Sequence, residues 1–228
     1  MAYQMIHMEV AYRLLDRLPW ITQKADFILG SVAPDSVHMN PEYQVSMKEI
    51  SHLFTGSGEW GNTEDYGNWD RNIRTFWQDH GQQESLSRNF AAGICVHCWT
   101  DLIYARDIWM KLRHHYTPIM GFDTFQKAYS VEARGIDLWL WQNSSNTSEI
   151  RKMLAEGKIH ELSGLLHQQD MEKLKHNLLY RQYQAEPVAV SDYQYVPEAV
   201  INDFLTVASN EIAAYFDQIN ADIRGEKI

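Results

Sequence analysis

Residues 90–101, Phe-Ala-Ala-Gly-Ile-Cys-Val-His-Cys-Trp-Thr-Asp, are apolar or small at nearly every position. A surface helix turns a polar face to water on each turn, and this segment has none to turn. It reads as one buried helix, so the rest of the chain must wrap around it. Flanking segments supply apolar residues at helical spacing. Over residues 5–18, Ile6, Val10, Leu14 and Leu18 recur every fourth position, and Pro19 stops the run. Across 122–141, Phe122, Phe125, Tyr129, Ile136 and Leu140 make much of a face. Residues 106–116, 150–155, 161–167 and 171–183 read as shorter helices, and 196–223 as a long final one. Few segments alternate with period two. The expectation is an all-α fold, a compact helical bundle forming a single domain over residues 1–228. Residues 36 to about 85 are rich in Gly, Asn, Asp, Trp and Tyr. They are expected to form one long aromatic-rich loop with a short helix near 69–80. So long a polar stretch inside a compact domain is usually functional.

The formal net charge of −10 argues against nucleic acid as a partner, because sequence-independent binding depends on Lys and Arg neutralising phosphates. No run of eighteen apolar residues predicts a membrane span, and no basic segment followed by an apolar stretch predicts a signal peptide. Cys95 and Cys98 lack a second pair to complete a zinc site and read as small buried residues. Reduced cysteines without a signal point to a cytoplasmic protein.

The residues that carry chemistry are spread along the first half of the chain. His97 and Asp101 stand four apart on the buried segment, so they share one helix face. An aspartate among such neighbours is costly unless paired or bound to metal. Ala33-Pro34-Asp35 forms a turn, with His38 three residues on. His52 follows Lys48-Glu-Ile-Ser, and His7 lies in the first helix. Each has a bland explanation when taken alone. These are a His–Asp hydrogen bond for the pair, an N-cap for Asp35, and packed imidazoles for His52 and His7.

Taken in order, the set changes the weighing. An early helical His, an Ala-Pro-Asp turn, a Ser-His and a helical His-x-x-x-Asp resemble the zinc-dependent phospholipase C family, whose ligand order is shared by the related single-strand-specific zinc nucleases. Phe27-Ile-Leu-Gly-Ser-Val-Ala-Pro-Asp-Ser-Val-His38 is similar to bacterial members of the phospholipase-like branch. The resemblance covers residues 5 to about 140. It implies an all-helical fold holding two or three zinc ions in a cleft. Asp35, His52, His97 and Asp101 would hold one ion, Asp101 would bridge to a neighbour, and His7 would help hold that neighbour. Asp35 would orient or deprotonate the attacking water, with His38 in a supporting or substrate-contacting place. Family enzymes hold an outer ion through a His six residues past the Asp and a downstream His-x-x-x-acid. Here the corresponding candidates are Asp107, Glu132 and Asp137, and oxygen ligands suit a harder or more loosely held ion. Mature family enzymes also begin with a Trp that completes one site, whereas this chain begins Met-Ala-Tyr-Gln. The expected activity is hydrolysis of a small phosphoester or a phospholipid by zinc-activated water. The alternatives are a single-strand nuclease and a non-catalytic metal-binding protein on the same fold.

Overall fold

The computed structural model describes residues 2–81, 88–162, 164–186 and 188–224. The fold is all-α. Its helices are α1 (Gln4–Leu14), α2 (Lys24–Gly30), α3 (Val45–Ser51), α4 (Tyr66–His80), α5 (Arg88–Tyr104), α6 (Met110–Met120), α7 (Phe122–Asn143), α8 (Thr147–Glu156), α9 (Gln168–Tyr180) and α10 (Glu198–Arg224). A 3₁₀ turn spans Ala33–Met39, and a π-helical segment, Ala105–Trp109, joins α5 to α6. Two short strands, β1 (Gly58–Glu59) and β2 (Asn62–Thr63), pair antiparallel. Among the described residues, no helix is long and apolar enough to cross a membrane.

The apolar segment met first in the sequence is the hub. Every residue of α5 from Asn89 to Tyr104 is buried, and α1, α2, α4 and α10 all pack against it. Its closest neighbour is α2, and the crossing is set by two glycines. A Cβ on Gly93 would lie 2.3 Å from the Phe27 carbonyl oxygen, and one on Gly30 would lie 2.3 Å from that of Phe90. Mid-helix glycine costs roughly 1 kcal/mol relative to alanine, a cost offset here by backbone contact that no other residue permits. That contact has a chemical consequence. It brings the Ser31 carbonyl, just past α2, to 2.8 Å from Nδ1 of His97. Replacing Gly93 by Ala should therefore destabilise the fold by about 3 kcal/mol, since backbone cannot move aside as a side chain can. Chemical denaturation reads this directly, and a loss below about 0.5 kcal/mol would mean that the crossing is loose.

Three sequence expectations are corrected. Residues 36–81 are not one long loop. They hold most of the 3₁₀ turn, α3, the strand pair and the whole of α4, and residues 82–85 lie outside the described residues. The helix predicted near 69–80 is longer. The Asp65 side chain starts it by accepting the Asn68 N–H at 2.8 Å, and Trp69, Ile73, Phe76 and Trp77 form its buried face. The helix predicted over 161–167 is absent from the described residues of that span. Leu162 and Leu166 instead bridge across a turn with Gly164 at φ 80°. Two leucines four apart suit a tight antiparallel turn as well as a helix, and the glycine between them decides it.

Candidate metal centre

Five predicted side chains converge. His7 comes from α1, Asp35 from the 3₁₀ turn, His52 from the residue after α3, and His97 and Asp101 from α5. All are buried, with exposures of 0% for the three imidazoles, 3% for Asp35 and 1% for Asp101. Two three-residue groups have potential ligand atoms all within 4.8 Å of one another: His7, Asp35 and His97, and His52, His97 and Asp101. His97 belongs to both. Its ring stacks on His7 with centroids 3.8 Å apart, and its Nε2 stands 3.0 Å from Nε2 of His52.

Each ligand is held by its local fold. Pro34 opens the 3₁₀ turn, and the Asp35 N–H closes onto the Val32 carbonyl. His52 ends α3, and the next residue, Leu53, takes φ 57°, a left-handed conformation rare for a bulky side chain. The aromatic-rich segment stabilises that corner. The buried indole of Trp69 donates to the His52 carbonyl at 2.8 Å, Asn72 donates to the Leu53 carbonyl, and Trp60 packs edge-on against the His52 ring. The aromatic residues thus act first as a clamp on one candidate ligand.

Tautomers decide what the cluster can bind. His97 Nδ1 faces a carbonyl, which only accepts, so Nδ1 carries the proton and Nε2 points its lone pair inward. His52 Nδ1 lies 2.9 Å from the Ser51 hydroxyl, which also reaches the Lys48 carbonyl at 3.2 Å. With the hydroxyl donating to that carbonyl, His52 also presents a lone pair from Nε2. In that tautomer the two lone pairs, 3.0 Å apart, and the carboxylate oxygens of Asp35 and Asp101, 3.4 and 3.7 Å from His52 Nε2, converge as the ligands of a cation do; in the other tautomer His52 Nε2–H donates to His97 Nε2. His7 makes the same point separately. Among the described residues neither of its ring nitrogens has a hydrogen-bond partner, and Nε2 stands 3.5 Å from Asp101. An unsatisfied buried acceptor costs roughly 1–3 kcal/mol, which coordination through that nitrogen's lone pair would remove.

Charge follows the same logic. Burial drives the His7 and His52 rings well below the usual imidazole pKa, so both are neutral, the form that binds metal. Burial raises the Asp101 carboxyl. Burial also pushes Asp35 upward, but its surroundings, the Lys48 ammonium first among them, hold it well below the ordinary range. Lys48 Nζ is 3.1 Å from Asp35 Oδ1 and 3.1 Å from His38 Nε2. On the far side, Gln4 donates to Asp35 Oδ2 at 3.0 Å, and Gln182 holds Gln4 in place.

The remaining candidates lie elsewhere. Asp107 sits in the π segment, bound by Arg106 at 2.6 Å in a surface network with Glu211. Glu132 accepts the backbone N–H groups of Gln194, Tyr195 and Val196. Asp137 accepts the Met5 N–H at 2.7 Å and the Tyr183 hydroxyl at 2.9 Å, so it caps the start of α1. None of these three belongs to either potential ligand group among the described residues. His38 lies beside the cluster, 3.7 Å from Asp35 and against Lys48. Sequence reasoning missed Lys48. The signal was available, because Lys48 precedes His52 by four residues and so projects from the same face of α3.

A cavity of about 570 Å³ opens on Asp35, lined by Lys48, His38, Arg134, Asp137, Tyr3 and Tyr183 among others. Its volume falls in the range typical of small-molecule sites. Comparison of the chain with family models, with curated proteins and with solved structures finds no match.

Proposed function

We propose that the chain is a metal-dependent hydrolase of a phosphoester, built on the His7, Asp35, His52, His97 and Asp101 cluster. The observation that carries the metal is the inward convergence of three imidazoles and two carboxylates, with the His7 ring left without a hydrogen bond among the described residues. Mixed nitrogen and oxygen donors suit zinc. The reaction class rests on the resemblance in motif order to the zinc-dependent phospholipases C, and the cavity beside Asp35 agrees with a small substrate. A divalent ion bound there would supply Lewis acidity toward a phosphoryl oxygen and make a water more acidic.

The chain's own groups would then do the following. His7, His52, His97 and Asp101 fix the ion's position, the outward hydrogen bonds to Ser31 and Ser51 keeping two of the rings in register. Asp35 faces both the cluster and the cavity, so it can accept a proton from a water held between them. The mouth residues Tyr3, Leu138 and Tyr183 give an organic group an apolar wall.

The test combines two measurements on the full chain. Elemental mass spectrometry of protein purified without chelator should find zinc at one or more per chain. A panel of phosphomonoesters, phosphodiesters, short-chain phospholipids and single-stranded oligonucleotides should show turnover of one of the first three classes. Metal without turnover of any of them would favour the non-catalytic reading. Cleavage of the oligonucleotide alone would favour the nuclease, which the net charge of −10 opposes.

A further inference from the structure

The cavity holds a cation that the metal cluster does not need. Lys48 is nearly buried, its side chain 12% exposed, and its ammonium carries three N–H donors. One reaches Asp35 and a second reaches His38 Nε2, while the ring of Trp60 lies 4.9 Å from Nζ. Among the described residues the third donor has no partner and is left for the cavity that Lys48 lines.

The lining of the cavity shows what that donor faces. Asp35 is engaged on both oxygens, Oδ1 by Lys48 and Oδ2 by Gln4. The other carboxylate of the cavity is engaged, because both oxygens of Asp137 accept hydrogen bonds, from the Met5 N–H and the Tyr183 hydroxyl. At the exposed edge stands Arg134, near the Tyr3 hydroxyl and able to turn its donors inward.

We propose that Lys48 grips the phosphoryl oxygens of the ligand in this cavity, with Arg134 at its edge as a second, weaker contact. This rests on the phosphoester reading for the identity of the anion, and it adds the residue that recognises it. His38 and Trp60 are positioning residues, holding the ammonium between Asp35 and the open cavity. If Lys48 served only as counter-ion to Asp35, an uncharged donor at that position would leave anion binding unchanged.

The experiment is calorimetric titration of inorganic phosphate into the zinc-loaded full chain, with zinc content measured on the same samples. Lys48→Met should weaken phosphate binding about tenfold or more, as loss of a charge-assisted hydrogen bond does, with zinc content unchanged. Lys48→Gln keeps a donor for Asp35 and His38, so it tests the charge even where Lys48→Met folds poorly. Arg134→Gln, on the surface, should weaken binding roughly two- to fivefold. Phosphate affinity equal in wild type and Lys48→Gln, or no phosphate binding by wild type, overturns the proposal. Glycerol phosphate and a short-chain phosphatidylcholine as competitors tell a soluble ester from a lipid headgroup held through the same oxygens. Phosphate binding that depends on Lys48, in a protein that hydrolyses none of the panel, upholds the anion site and rejects the hydrolase. Turnover with phosphate binding indifferent to Lys48 does the reverse.

Discussion

Asp101→Asn should make the metal-free protein more stable while removing its metal. The two effects have opposite signs because they come from one fact, a carboxylate placed where nothing but a cation repays its burial. Asp101 is 1% exposed, and burial raises its pKa above the ordinary carboxylate value. A group whose folded pKa is raised costs stability once the pH exceeds its unfolded value. Among the described residues its contacts are few: the Ala2 N–H donates to Oδ1 at 2.9 Å, and His7 and His52 lie 3.5 and 3.7 Å away without hydrogen-bonding it. Asparagine keeps the shape and an oxygen for Ala2 and removes the charge. Metal-free Asp101→Asn should gain roughly 1–3 kcal/mol at pH 7. With zinc, the balance reverses. Loss of a group that merely orients a ligand costs 10–100-fold in affinity, so loss of a charged ligand should cost more than about 100-fold. Denaturation midpoints of the two proteins, with chelator and with excess zinc, should therefore cross. A variant equally destabilised in both conditions would show Asp101 to be an ordinary structural hydrogen-bonding group.

The legible parts of this molecule were those where one residue pattern has one physical outcome. An apolar segment without a polar face can only be enclosed, and α5 is. His97 and Asp101 four apart on it can only share a face, and they join one cluster with His7, Asp35 and His52. The less legible parts were those taken from a motif order or from residue type alone. Asp107 entered as the position six residues past Asp101 in the family's pattern, and it lies in the π segment Ala105–Trp109, paired with Arg106. Glu132 and Asp137 were chosen as acids on a plausible helix, but a carboxylate near free backbone N–H groups is drawn to them first. Glu132 holds the chain entering α10 and Asp137 the start of α1. Residues 36–81 hid their order because α3 buries only Ser51 and its helicity comes from tertiary contact rather than from an apolar stripe. Lys48 was overlooked although it stands four residues before His52 on the same helix face, and its side chain folds inward onto Asp35.

Asp137→Asn should have an effect on stability that depends on pH, with a change of sign or size near neutrality. Burial raises the Asp137 carboxyl to about 7, against the hydrogen bonds from Tyr183, Met5 and Ile6 that pull it down. In the unfolded chain the same group ionises near 3.9. Between these values the folded protein retains a proton that the unfolded chain has released. Stability contributed by this group therefore falls as the pH rises through that window and reaches a constant deficit above about 7. At 1.36 kcal/mol per unit, the full deficit is on the order of 4 kcal/mol, and allowing a unit of error in the shift leaves roughly 3–5 kcal/mol. Asparagine carries no such deficit. It still offers an oxygen to the Met5 N–H, though its amide meets the Tyr183 hydroxyl, which must turn to accept. That rearrangement costs the same at every pH, so it cancels in the comparison. The neutral imidazoles of His7 and His52 also favour unfolding below about 6.5, but they act equally in both proteins and cancel as well. Relative to wild type, metal-free Asp137→Asn should thus be several kcal/mol more favourable at pH 8.5 than at pH 4.5, measured by denaturant titration. The same difference at both pH values would mean that Asp137 is ionised throughout. The start of α1 would then be holding a full carboxylate charge, and Asp137 would stand as a second anion beside the Lys48 cavity rather than a neutral cap.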